Sequence, residues 1–284
     1  MRNFLGALTF LTVIKVKGRF MPEEEKLSSS LVYFPLVGVV VGIIISLFFA
    51  LSMYILPLIL SMILTFGLEI LVTGGIHIDG LADMFDGVFS GERDKNEIFR
   101  IMKKGDVGVF GLLSILFILA LKIGLSYFIF LTTKSMALFL PVLVFMPAFG
   151  RWSMVYLIYR HPPARKTSLV NAFAGQNSPK ILFFSTAYLA FLFILGNIIL
   201  RLFVNYRWEA LSSLSSNFQV FWKYLFLVLV GILVFLLIFL FVVAIGNFFT
   251  RKVGGITGDI LGGLCVVTEV FYLFLSYVWL RFSC

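Results

Sequence analysis

The sequence predicts an all-α integral membrane protein with about seven transmembrane helices and a short N-terminal helix that lies in the interface or is re-entrant. Three observations carry this. Apolar residues make up 61% of the 284-residue chain and charged residues 13%, whereas soluble domains have about 45–50% and about 25%. Uncharged runs cover 27–68, 181–200 and 224–250, each at or beyond the roughly 20 residues that take a helix across about 30 Å of hydrocarbon. The runs are apolar on every face, where the strands of a membrane barrel would alternate over about ten residues.

Residues 4–14 are apolar but too short to span, and no small-x-small cleavage site precedes Lys15, Lys17 and Arg19, which predicts the interfacial or re-entrant helix rather than a leader. Spans follow at 31–51 and 55–73, joined by a tight turn near Ser52 and Pro57, then at 107–131, 135–159, 181–200, 221–249 and 260–280. With the N-terminus on the cytoplasmic side, 16 of the 23 Lys and Arg lie on that side, five lie opposite, and Lys122 and Arg151 fall within spans. That bias predicts a multi-pass protein of the cell (inner) membrane, one polytopic domain over 1–284, with its catalytic connectors 75–106, 160–180 and 250–260 in the cytoplasm. The net charge of +9 is then a matter of orientation, so nucleic acid is excluded as a partner and the lipid bilayer is the expected one. Cys265 and Cys284 cannot form a disulfide framework and read as packing thiols.

Seven of the 14 acidic residues fall in the connector 75–106, which begins GGIHIDGLADMFDG. Asp79, Asp83 and Asp86 stand at i, i+4 and i+7, within about a 60° arc of one helical face. Two carboxylates about 6 Å apart repel by roughly 3 kcal/mol at an effective dielectric of ~20. A solvated surface face is the plain reading of any single Asp; three crowded between apolar flanks call for a cation. Oxygen ligands without cysteine favour Mg²⁺, with Mn²⁺ as the alternative, over zinc, and His77 beside them is a hydrogen-bonding or substrate-contacting group. The other connectors add Arg151, Arg165, Lys166, Lys103 and Lys104 as phosphate-binding candidates, glycine turns at 105–111 and 254–263, and Asp259 as a further metal or substrate ligand. Carboxylates, bases and glycine turns on one side of a membrane are the equipment of metal-assisted phosphoryl transfer, with Asp83 or Asp86 able to accept a proton from an attacking hydroxyl.

The motifs GGIHIDGLADMFDG, IMKKGDVGVFG, GRW, PPAR and GGITGDILGG, with Glu269 ten residues past Asp259 and FLGALTFLTVIKV at the N-terminus, resemble the cobalamin synthase (adenosylcobinamide-GDP ribazoletransferase) family over most of the chain. The resemblance implies a Mg²⁺-dependent membrane transferase in which a ribose hydroxyl of α-ribazole, or of its 5′-phosphate, attacks the cobinamide-linked phosphorus of adenosylcobinamide-GDP and releases GMP. It also implies a substrate-binding role for Glu269 and leaves a homo-oligomer open. A CDP-alcohol phosphotransferase would need Ala-Arg where Ala82-Asp83 stands. An aspartate-rich prenyltransferase would need a second Asp cluster, and a cation transporter would put its carboxylates near mid-bilayer.

Overall fold

The computed structural model describes residues 2–16, 24–165, 170, 173, 178–209 and 217–283. The described residues are almost entirely helical, with no strand among them, as the all-α expectation requires. The helices are α1 (Arg2–Leu11), α2 (Phe34–Ser52), α3 (Leu58–Thr73), α4 (Ile76–Val88), α5 (Lys95–Met102), α6 (Val109–Thr133), α7 (Met136–Arg160), α8 (Pro179–Glu209), α9 (Asn217–Val253) and α10 (Gly258–Ser283), with a 3₁₀ helix at Glu24–Tyr33 before α2. Six of them are long and apolar enough to cross a membrane, and α3 with α4 makes a seventh, bent pair. α1, about 15 Å long by its rise per residue, is too short to span and packs against α2 and the 3₁₀ helix.

The second predicted span differs. α3 has 16 residues, about 24 Å, short of the hydrocarbon thickness. It begins after Pro57, which lacks a backbone N–H, and ends at Gly74 (φ 66°) and Gly75 (φ 72°). Two successive left-handed residues are costly for any side chain with a Cβ, and here they bend the chain by 91° into α4. α4 therefore lies across the ends of α6 and α10 and outside the six spans.

α7 and α10 are buried along most of their length, whereas the apolar spans within α6, α8 and α9 bury less than a third of theirs. α2 reaches α7 through Gly38 and Gly42: a Cβ on Gly42 would lie 2.1 Å from the Val144 carbonyl oxygen, and one on Gly38 2.5 Å from Ala148 Cα. Small residues four apart let two membrane helices touch backbone to backbone, where dispersion replaces the missing hydrophobic force. Gly42→Val is accordingly expected to separate α2 from α7 and to lower the thermal midpoint of the detergent-solubilised protein by at least several degrees, as an overpacked core does. An unchanged midpoint would show that the contact contributes nothing.

Candidate active site

α4 crosses the start of α10 in direct backbone contact. A Cβ on Gly80 would stand 2.8 Å from the Asp259 carbonyl oxygen, and one on Gly262 3.3 Å from His77 Cα. The glycines of the aspartate motif thus serve helix approach: Gly80 against α10, and Gly87 against Ile98 and Met102 of α5. The crossing brings Asp79 and Asp83 within electrostatic reach of Asp259. Among the described residues none of these three carboxylates forms an ion pair. Partial burial, and then repulsion from Asp79, Asp259 and Asp86, pushes the Asp83 carboxyl up to about 6. As the side chains stand, no three His, Cys, Asp or Glu among the described residues converge closely enough to hold a metal by themselves.

Asp86, expected beside Asp83 at the metal, is engaged by two backbone donors. Gly108 N–H donates to its Oδ2 (2.7 Å) and Gly111 N–H to its Oδ1 (2.8 Å), so it caps the first turn of α6, where the helix dipole favours an anion. It pins the loop carrying Lys103 and Lys104 to α4.

The three connectors do converge. Ala164 N–H donates to the Ile256 carbonyl (3.0 Å) and Ile256 N–H to that of Pro162 (2.9 Å), joining the segment after α7 to the turn before α10. Arg165, half-buried, lays its guanidinium over the Phe99 ring of α5, 4.1 Å from the centroid. Lys103 lies within electrostatic reach of Asp259, and Lys104 pairs with exposed Asp106 at 3.6 Å. Lys166 lies outside the described residues. Two further lysines not anticipated from sequence, Lys252 over Phe89 and Lys95 beside Gly254, stand on the same rim.

Arg151 and Glu269, expected to touch substrate, are each 1% exposed and pair with one another. Lys122 Nζ bridges Glu269 Oε2 (2.6 Å) and Glu69 Oε2 (2.7 Å). Two cations and two anions from α3, α6, α7 and α10 close on themselves inside the bundle, so their charge is spent on each other.

Between α1, α2, α4, α7 and α10 lies a cavity of about 260 Å³ with His77, Asp79 and Asp259 in its lining beside Phe10, Phe34 and Phe173. Sequence reasoning did not connect α1 with the site. No local signal could have done so, because Phe10 and Phe34 enter through tertiary packing alone.

A family model described as cobalamin-5-phosphate synthase matches residues 3–277. The chain is 33% identical to the adenosylcobinamide-GDP ribazoletransferase of Clostridioides difficile (strain 630), over 98% of each sequence. It is 32% identical to the protein of that name from Alkaliphilus metalliredigens (strain QYMF), over 96% of this chain and 94% of the relative. Against that of Fusobacterium nucleatum subsp. nucleatum it is 31% identical, over 98% of each. No solved structure matches it.

Proposed function

This chain belongs to the cobalamin-5-phosphate synthase family, and from that premise we propose that it joins adenosylcobinamide-GDP to α-ribazole or its 5′-phosphate at a Mg²⁺-dependent site on the cytoplasmic face of the cell membrane, with release of GMP. It is a transferase of cobalamin synthesis built on multiple apolar helices. The observation that carries the chemistry is the α4–α10 crossing, which gathers three carboxylates, none of them in an ion pair among the described residues.

The donor set suits Mg²⁺, which commonly takes only one or two carboxylates and completes its shell with water and substrate phosphate oxygens. Two of Asp79, Asp83 and Asp259 would hold it, and bound there it would neutralise charge developing on the phosphorus oxygens; Mn²⁺ accepts the same donors. Asp83, with its pKa near 6, is ionised at neutral pH yet basic enough to take the proton of the attacking ribose hydroxyl. The new ribose O–P bond forms as the P–O bond of the pyrophosphate linkage breaks, and the bonding pair leaves with GMP. Lys103, Lys104 and Arg165 grip the diphosphate, and Asp86 holds the lysine loop in place.

Purified protein in lipid, given adenosylcobinamide-GDP, α-ribazole 5′-phosphate and Mg²⁺, is expected to release GMP, to stop with EDTA and to resume with added Mg²⁺; a folded protein that releases none refutes the assignment. Arg165→Lys keeps the charge but loses the flat guanidinium that lies on Phe99 and the two-donor fork it can present to phosphate. A fall in kcat/KM of about tenfold or more, near 1.4 kcal/mol, is expected for the GDP substrate, and unchanged kinetics would reduce Arg165 to a topogenic charge. For orientation, Ser90→Cys should resist a membrane-impermeant thiol reagent applied outside cells while Ser135→Cys reacts; the reverse pattern would put the site outside.

A further inference from the structure

The cavity beside the acids has a second face that the phosphoryl chemistry does not use. Phe10 of α1, Phe34 of α2 and Phe173 meet there, with ring centroids 5.0 Å (Phe10–Phe173), 5.7 Å (Phe34–Phe173) and 5.9 Å (Phe10–Phe34) apart. His77 is 4% exposed, lines the same cavity, and its Nε2 is buried with no hydrogen-bond partner among the described residues. Asp79 and Asp259 also line the cavity, so one partly open volume sets aromatic rings, an imidazole and two carboxylates of the transfer site side by side.

We propose that this cavity is the acceptor subsite: it takes the planar aromatic base of the riboside against the wall that Phe10, Phe34 and Phe173 form, beside the His77 imidazole, and directs the ribose hydroxyl past Asp79 and Asp259 towards Asp83. The proposal rests on the transferase reading and assigns which substrate goes where. Size decides between the two substrates. At about 260 Å³ the cavity lies just under the range of about 300–1,000 Å³ for drug-sized ligands, room for one fused ring and too little for a corrinoid joined to a guanosine diphosphate. Chemistry decides against a lipid chain, which gains nothing from two carboxylates and an imidazole, whereas aromatic rings gain from offset and edge contacts with a flat base. The donor is thereby left to exposed Lys103 and Lys104 and half-buried Arg165.

The test compares the two substrates on one enzyme. Phe10 is half-buried; Phe10→Ala is expected to raise the KM for α-ribazole 5′-phosphate by about tenfold or more while the KM for adenosylcobinamide-GDP and kcat stay within about twofold. A rise in the donor KM instead, or no change in a folded variant, overturns the subsite. Should Phe10→Ala fail to insert, Met154→Trp fills the same cavity from α7 and is expected to abolish equilibrium binding of free α-ribazole while the GDP substrate still binds; riboside binding to the filled variant overturns the proposal. So does a co-purified lipid in the cavity that α-ribazole does not displace. A wild-type protein that binds α-ribazole but releases no GMP refutes the transferase reading alone, and one that releases GMP while both variants behave as wild type refutes the subsite alone.

Discussion

Lys122→Met is expected to leave little folded protein in the membrane, the largest stability loss of any single substitution considered. Lys122 is 3% exposed and its ammonium holds Glu69 and Glu269 at 2.7 and 2.6 Å. Removing it leaves two buried carboxylates with only Arg151 to answer them, and an uncompensated buried charge costs about 3–5 kcal/mol, a large part of the roughly 5–15 kcal/mol that holds a typical protein together. The double variant Lys122→Met with Glu69→Gln restores neutrality, since Arg151 and Glu269 still pair. It should recover most of the loss, with a coupling of up to about 3 kcal/mol in the double-mutant cycle. Thermal unfolding in detergent, read beside the yield of membrane-inserted protein, measures both. A single variant that melts within a degree or two of wild type would show the network to be dispensable.

That network marks where the sequence stops being legible. Hydropathy placed the six long helices because span length is a property of local composition, and the basic residues fell into connectors that the structure does bring together. Charges at depth are equally visible, but their partners are not: the structure pairs Arg151 with Glu269 and gives Glu69 to Lys122. Which helix neighbours which is decided by packing, here by α10 lying against both α6 and α7, and no period in one chain encodes it. Asp86 teaches a second limit. Seven residues return nearly to the same helical face, yet they advance about 10.5 Å along the axis, so Asp79 and Asp86 share a face without sharing a site, and Asp86 arrives at the first turn of α6. The cavity is a third: its aromatic wall comes from α1, α2 and Phe173, segments with no sequence feature in common.

For Asp83→Asn, activity and stability are expected to move independently. The substitution keeps the shape and removes one anionic oxygen donor, so GMP release should fall by at least ~10², about 2.7 kcal/mol of transition-state stabilisation. The fold should not suffer. A carboxyl whose folded pKa is raised from 3.8 to about 6 stabilises the protein fully only while protonated, below its unfolded value, and that contribution is lost as pH rises through about 6. At pH 7.5 the asparagine is spared the crowding that the ionised aspartate meets, so the melting midpoint should equal or slightly exceed wild type. A Mg²⁺ titration then separates the two roles open to the residue. If Asp83 is chiefly a metal ligand, the variant needs more Mg²⁺ and regains rate as the ion is raised; if it chiefly accepts the proton of the ribose hydroxyl, saturating Mg²⁺ leaves the deficit in kcat and removes the rise of rate with pH near 6. Near-wild-type turnover at every Mg²⁺ concentration would make Asp83 a surface acid, and the chemistry would have to rest on Asp79 and Asp259 across the Gly80 contact.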